Sequence, residues 1–150
     1  MIYFLGIGGI GMSALARWCQ KQGIQVAGYD RTASDITKSL EELGVPISYE
    51  DDSATIPADL LKDSEKKLVV YTPAVPEDSE ISQTLRSHHL PFLKRSQMLG
   101  IISKPYFTVA VAGTHGKTTT SSMIGHLLKH SKRPCTAFIG GITQNYSSNI

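Results

Sequence analysis

Only two cysteines and one tryptophan occur in these 150 residues, and aromatic side chains make up 7% of them. No apolar run approaches the roughly twenty residues that a membrane-spanning helix needs, so membrane insertion is not expected. Cys19 and Cys135 stand far apart in the sequence, each in an apolar stretch. Two reduced, buried thiols are therefore expected rather than a disulfide framework. Fifteen Lys and Arg against thirteen Asp and Glu leave a net charge of +2, and the basic residues are scattered. Without a basic stripe there is no electrostatic footprint for nucleic acid. Met1 leads directly into Ile2-Tyr3-Phe4-Leu5, with neither the charged start nor the small-residue cleavage site of a secretory leader. With 41% apolar and 19% charged residues, the composition is that of a folded, cytoplasmic globular protein.

What is present is an alternation of short apolar strands and amphipathic helices, the pattern of a parallel sheet covered by helices. Strands are predicted at Ile2 to Leu5, Val26 to Tyr29, Val45 to Tyr49, Leu68 to Tyr71 and, weakly, Pro91 to Leu93. Pro46 marks the third of these as an edge strand. The first helix is predicted from Met12 to Gln22, with Leu15, Ala16, Trp18 and Cys19 inward and Gly23 as its left-handed cap. Ser34 caps a second helix whose Ile36, Leu40 and Leu43 share a face and which stops at Gly44. Further helices fall at Glu80 to Ser87, with Ile81 and Leu85 inward, and at Ser96 to Ser103.

At Lys104-Pro105 the pattern restarts. A β-branched strand, Phe107 to Val111, precedes a loop of small residues and a helix from Lys117 to Ser131 with Met123, Ile124, Leu127 and Leu128 on one face. Thr136 to Ile139 reads as another strand, broken by Gly140-Gly141, and the residues from Thr143 to Ile150 are polar. The division expected is a complete Rossmann-like α/β domain over 1–103 and the truncated start of a P-loop α/β domain over 104–150. One βα unit and a further strand are too little to bury both faces of a second parallel sheet.

Two phosphate-type loops carry the chemistry. Gly6-Ile7-Gly8-Gly9-Ile10-Gly11 satisfies G-x-G-x-x-G between a strand and a helix, and Asp30 follows about 20 residues on, at the end of the second strand. Gly6 permits the turn, Gly8 lets backbone approach a diphosphate, and Gly11 lets the helix pack against the strand. The helix N-terminus adds unpaired N–H groups and partial positive charge. Such a loop indicates a nucleoside diphosphate and leaves NAD and a UDP-sugar both open.

The second loop is Ala112-Gly113-Thr114-His115-Gly116-Lys117-Thr118-Thr119. In its Gly116-Lys117-Thr118 core, backbone N–H groups surround phosphates, Lys117 reaches the outer ones and the Thr118 hydroxyl binds Mg²⁺. It departs from the strict G-x-x-x-x-G-K-[ST] pattern: Val111 holds the first glycine position and a glycine stands instead at Gly113. A simple dehydrogenase has no use for a second nucleotide loop, so two phosphorylated ligands are implied, one of them ATP.

This pairing resembles the Mur ligases, which build the peptide stem of peptidoglycan. Their Rossmann-like first domain grips the UDP of a UDP-muramyl substrate, and their central ATPase domain carries a G-[TS]-x-G-K-[TS] loop, the form seen at Gly113 to Thr118. His115 at the variable place, and the opening Gly6 to Gly11 followed by Met12-Ser13, are typical of the member that adds L-alanine. The resemblance implies ATP-dependent amide formation with UDP-N-acetylmuramate and L-alanine as substrates. The lactyl carboxylate would become an acyl phosphate that the amine displaces. It implies ATP contacts from Gly113, Thr114, His115, Gly116, Lys117, Thr118 and Thr119, with Lys117 and Thr118 catalytic and Thr118 on Mg²⁺. The family's acidic metal-binding motif and amino-acid-binding domain would lie beyond Ile150, so the 150 residues alone are expected to be inactive.

For the UDP-substrate, Gly6, Gly8, Gly9, Ile10 and Gly11 are joined by Asp30, by Thr72 and Ala74 after the fourth strand, and by Arg95 after the fifth. Ligands in open α/β sheets bind beyond the carboxyl ends of the strands. An ordinary turn would explain Thr72 and Ala74 equally well. His88-His89 and the pair His126 and His130 lack a third ligand and read as surface histidines. A tripeptide-recycling ligase of the same family, a nicotinamide-dependent oxidoreductase or NAD-sensing module, and a lapsed ligase serving as a subunit are the alternatives.

Overall fold

The computed structural model describes residues 1–62 and 66–141. Five strands form one sheet in the order β3-β2-β1-β4-β5: β1 Ile2–Leu5, β2 Val26–Tyr29, β3 Ile47–Ser48, β4 Leu68–Tyr71 and β5 Phe92–Lys94. Every pairing is parallel. The helices are α1 Ile10–Lys21, α2 Asp35–Glu41, α3 Ala58–Leu61, α4 Glu80–Ser87, α5 Arg95–Ser103 and α6 Lys117–His130, with a 3-10 turn at Ser53–Thr55.

The central strand is buried on both faces, because successive side chains point to opposite sides. Ile2 and Phe4 join Met12, Leu15, Ala16 and Cys19 of α1 and Met98 and Ile102 of α5 in one layer. Tyr3 and Leu5 join Ile56, Leu60, Ile81 and Leu85 in the other. That two-sided burial is why β1, β2 and β4 read as unbroken apolar runs rather than alternating ones.

Local signals place the elements. Ser34 accepts a hydrogen bond from the Thr37 N–H while the Thr37 hydroxyl accepts from the Ser34 N–H, a capping box on α2. Ser79 caps α4 by accepting from Ser82 N–H. β3 is the edge strand that Pro46 implies, and the Pro46 carbonyl accepts from Gly28 N–H at 3.1 Å.

Several expectations are corrected. Neither Phe107 to Val111 nor Thr136 to Ile139 forms a strand, and Phe107 is 97% exposed. Strand propensity needs a pleated, half-buried surface to act on. Among the described residues no strand lies beside either segment. The apolar face expected on α6 is likewise open, with Met123 and Leu127 exposed. Leu43 is exposed rather than inward, and Trp18 is only half-buried against the core. Cys19 is buried as expected but Cys135 is exposed. The 3-10 turn and α3, which carry the chain from β3 toward β4, have too short a period to register as helices. The polar residues 143–150 lie outside the described ones.

Candidate functional site

Register alone gathers the first set of site residues. Leu5 pairs with Tyr29 and with Tyr71, and Tyr71 pairs with Lys94. The next residue along each strand is Gly6, Asp30, Thr72 and Arg95. All four therefore stand one step past the carboxyl edge, on adjacent strands, around the loop that follows β1. Strand order reverses at β1, with β2 on one side and β4 on the other. That is the switch point where open α/β sheets hold ligands.

The glycine loop is tightly walled. Gly6 has φ +83°, a left-handed conformation that side chains resist. A Cβ on it would stand 2.6 Å from Thr72 Cγ2 and 3.2 Å from Val75 Cγ2. The Tyr29 carbonyl accepts from both Gly6 N–H at 2.8 Å and Ile7 N–H at 3.0 Å. On Gly8 a Cβ would meet Asp30 Oδ2 at 2.8 Å and Thr37 Cγ2 at 2.9 Å. On Gly11 it would meet Arg95 Nη1 at 2.9 Å, so the guanidinium lies against the first turn of α1. Gly9 is the N-cap of α1, with an exposed Ile10 after it.

Thr72 and Arg95 thus lie against the loop, and Ala74 is an exposed turn residue that no described contact ties to it. Asp30 is engaged in a way the motif did not suggest. Its Oδ2 accepts from Gly8 N–H at 2.7 Å and its Oδ1 from Thr32 N–H at 3.1 Å. Thr37, Val75 and Gly28 were missed. A Cβ on Gly28 would sit 2.7 Å from the Phe4 carbonyl and 2.8 Å from Ile7 Cδ1, so bare backbone in β2 makes room for the buried Ile7. A glycine inside a strand pattern is the signal that marks such a close approach.

The second loop stands at the start of α6, far along the chain. Gly116 is the helix N-cap with φ +76°. The Lys117 ammonium donates to the carbonyls of Gly113 at 2.6 Å and Thr114 at 2.9 Å, curling over its own loop. Gly140 and Gly141 lie over Thr118, whose Oγ1 is 3.5 Å from the Cβ position of Gly140. His115 and Thr119 are exposed. The loop therefore offers a cation and helix N–H groups to solvent, an arrangement suited to phosphate.

Two clefts occur elsewhere. One, of ≈ 300 Å³, is lined by Tyr3, Ala27, Ile47, Ser48, Thr55 and Pro57, and one of ≈ 510 Å³ opens at the amino ends of β1 and β4. Neither lining includes a glycine-loop or P-loop residue. The His126 and His130 ring centroids lie 4.2 Å apart with the rings tilted by 44°, and no group of three metal-ligating side chains occurs among the described residues. No described helix is long and apolar enough to cross a membrane.

A family model described as Mur ligase family, catalytic domain, matches residues 1–107. The chain is 50% identical over 149 residues to a UDP-N-acetylmuramate–L-alanine ligase of Cytophaga hutchinsonii, covering 99% of this chain and 32% of that protein. Among solved structures it resembles the UDP-N-acetylmuramate-alanine ligase of Thermotoga maritima, with TM-score 0.88, 35% identity, and 99% and 34% of the two chains covered. It also resembles a Neisseria UDP-N-acetylmuramate:L-alanyl-gamma-D-glutamyl-meso-diaminopimelate ligase, with TM-score 0.86, 27% identity, and 99% and 45% covered. The chain spans about a third of the length of the curated relatives it matches.

Proposed function

The chain belongs to the Mur ligase family, and from that premise we propose that it forms the substrate- and ATP-binding front of an enzyme joining L-alanine to UDP-N-acetylmuramate. Residues 1–103 hold the UDP end of the substrate, and 104–150 begin the ATP-binding unit. The observation that carries this reading is the joint presence of two different phosphate loops. One is walled by Asp30, Thr72 and Arg95 at a sheet switch point, and the other bears Lys117 at a helix N-terminus. Identity of 50% to a curated L-alanine ligase, and of 35% to a solved L-alanine ligase beside 27% to a solved tripeptide-adding one, supports L-alanine as the amine.

In this reading Gly9, Ile10, Gly11 and Arg95 face the diphosphate, with Gly6 and Thr72 fixing the loop beneath it and Ala74 at the rim. The residues of the second loop fit a nucleotide triphosphate with Mg²⁺. Gly113 to Gly116 supply backbone, Thr119 and His115 flank it, and the Thr118 hydroxyl would hold the ion. ATP supplies the phosphoryl group that makes the lactyl carboxylate reactive toward an amine. Lys117 leaves its loop carbonyls for the outer phosphates, where its charge counts most as negative charge shifts during transfer. A cytoplasmic location goes with this reading, since the reaction draws on ATP.

The test is Lys117→Ala in the full-length protein. Phosphate release with UDP-N-acetylmuramate and L-alanine should fall on the order of 10²-fold or more. Titration of the UDP-sugar without ATP should be unchanged, since the two loops are separate. Turnover within a few-fold of the unaltered enzyme would remove the ATPase assignment.

A further inference from the structure

In the common dinucleotide-binding arrangement, the acidic residue ending the second strand accepts from ribose hydroxyls while the second glycine's N–H approaches the diphosphate. Here the second glycine's N–H is already committed, and each oxygen of the acidic residue already accepts one backbone N–H. Gly8 has one backbone proton, and it is given to Asp30 Oδ2 at 2.7 Å. The other carboxylate oxygen accepts from Thr32 N–H at 3.1 Å. Asp30 is itself anchored, because its own N–H donates to the Ser48 carbonyl at 3.0 Å in the neighbouring strand. Thr37, fully buried on α2, closes the remaining side of Gly8 with its methyl group. A ligand anion arriving at Gly8 would meet a carboxylate where the motif offers a donor.

We propose that Asp30 is a positioning residue: it clamps the Gly8 amide, fixes the shape of the glycine loop, and reaches the nucleotide only through that loop. The ligand's diphosphate is then taken by the part of the loop beyond Gly8, beside Arg95. This deepens the nucleotide-binding role given to the loop above and rests on it. The two readings of Asp30 differ in sign for a ligand without a nucleoside. If Asp30 touched the ribose, removing its charge would leave inorganic pyrophosphate unaffected or make it bind more tightly. If it holds the loop, pyrophosphate must lose affinity as UDP does.

Asp30→Asn keeps the shape and loses the charge, and it can offer an acceptor to only one of the two N–H groups. In the 150-residue chain, exchange of the Gly8 amide proton should quicken about tenfold or more in this variant. UDP and pyrophosphate should both weaken, by factors that agree within about twofold. In the unaltered chain, the Gly8 amide proton resonance should move as the Asp30 carboxylate is titrated, which tests the clamp without any substitution. Unchanged Gly8 exchange in the variant, or a Gly8 resonance fixed throughout the titration, would overturn the proposal. So would loss of UDP affinity with pyrophosphate unaffected or tighter. Failure of the unaltered chain to bind either ligand would instead sink the nucleotide role of the loop, while the exchange and titration measurements still decide the clamp.

Discussion

Bare glycine positions carry much of the site's shape, and one of them lies away from the motif. An alanine at Gly28 would press its methyl on the Phe4 carbonyl, which is fixed in the ladder, and on Ile7 Cδ1, which is buried. Overpacking of this kind typically costs about 1–3 kcal/mol. Urea unfolding of Gly28→Ala should show that loss, and an unaltered midpoint would mean that β1 and β2 can part more easily than their ladder suggests. The cysteines give a second test at this scale. Burial pushes the Cys19 thiol up to about 11, whereas Cys135 is exposed. Because the thiolate is the reactive form, a thiol reagent should modify one cysteine quickly and the other only on unfolding. Two fast thiols, or none, would contradict the burial. Helical spacing puts Cys19 on the inward face of the first helix, whereas Cys135 follows Lys132-Arg133-Pro134. What differs is whether a folded layer covers them, as α1 is covered by the sheet and the stretch after α6 is not.

Capping shows which features of an element are legible beforehand. Ser34 announces α2 because its partner Thr37 is three residues away, and local spacing is readable. The N-terminus of α4 is also held by Asp51, whose carboxylate accepts from Glu80 N–H at 3.2 Å and Ile81 N–H at 3.0 Å across about 30 residues. No local spacing marks Asp51 for this role, because only the folded sheet brings it to the helix. Glu80 completes the lock by accepting from the Ser53 hydroxyl at 2.6 Å and the Ser53 N–H at 3.0 Å. These bonds from Ser53 lower the Glu80 pKa. A carboxylate whose pKa is lower folded than unfolded adds stability above its ordinary range, and that stability is lost as pH falls through the lowered value. Glu80→Gln should therefore be less stable than the unaltered chain at neutral pH, with the gap closing in acid. A gap in urea midpoints that stays constant from pH 7 to pH 3 would show that the charge is irrelevant to the lock.

Among the described residues, burial is concentrated in the sheet and the helices against it. The central strands are buried on both faces, whereas α6 has no buried residue. Opening free energies follow such differences in burial. Amides of β1 and β4 should accordingly exchange far more slowly than those of α6, and equal protection would mean that residues from 104 onward have a stable packing of their own. The parallel sheet and its switch-point loop were legible, and Asp30, Thr72 and Arg95 fall beside that loop because each strand ends in register with its neighbours, whereas Thr37, Val75 and Gly28 meet it only through packing. The strand expected at Phe107 to Val111 was not, because a strand is a property of its partners as much as of its residues. The P-loop motif remains readable where its strand does not form, since its chemistry sits in the turn and the helix N-terminus. What most needs testing is whether the first loop is built for a UDP-sugar. Isothermal titration of this chain with UDP-N-acetylmuramate and, separately, with NADH decides it. Measurable heat and saturation with the UDP-sugar, and markedly weaker binding of NADH, are expected. Tighter binding of NADH would contradict the ligase reading.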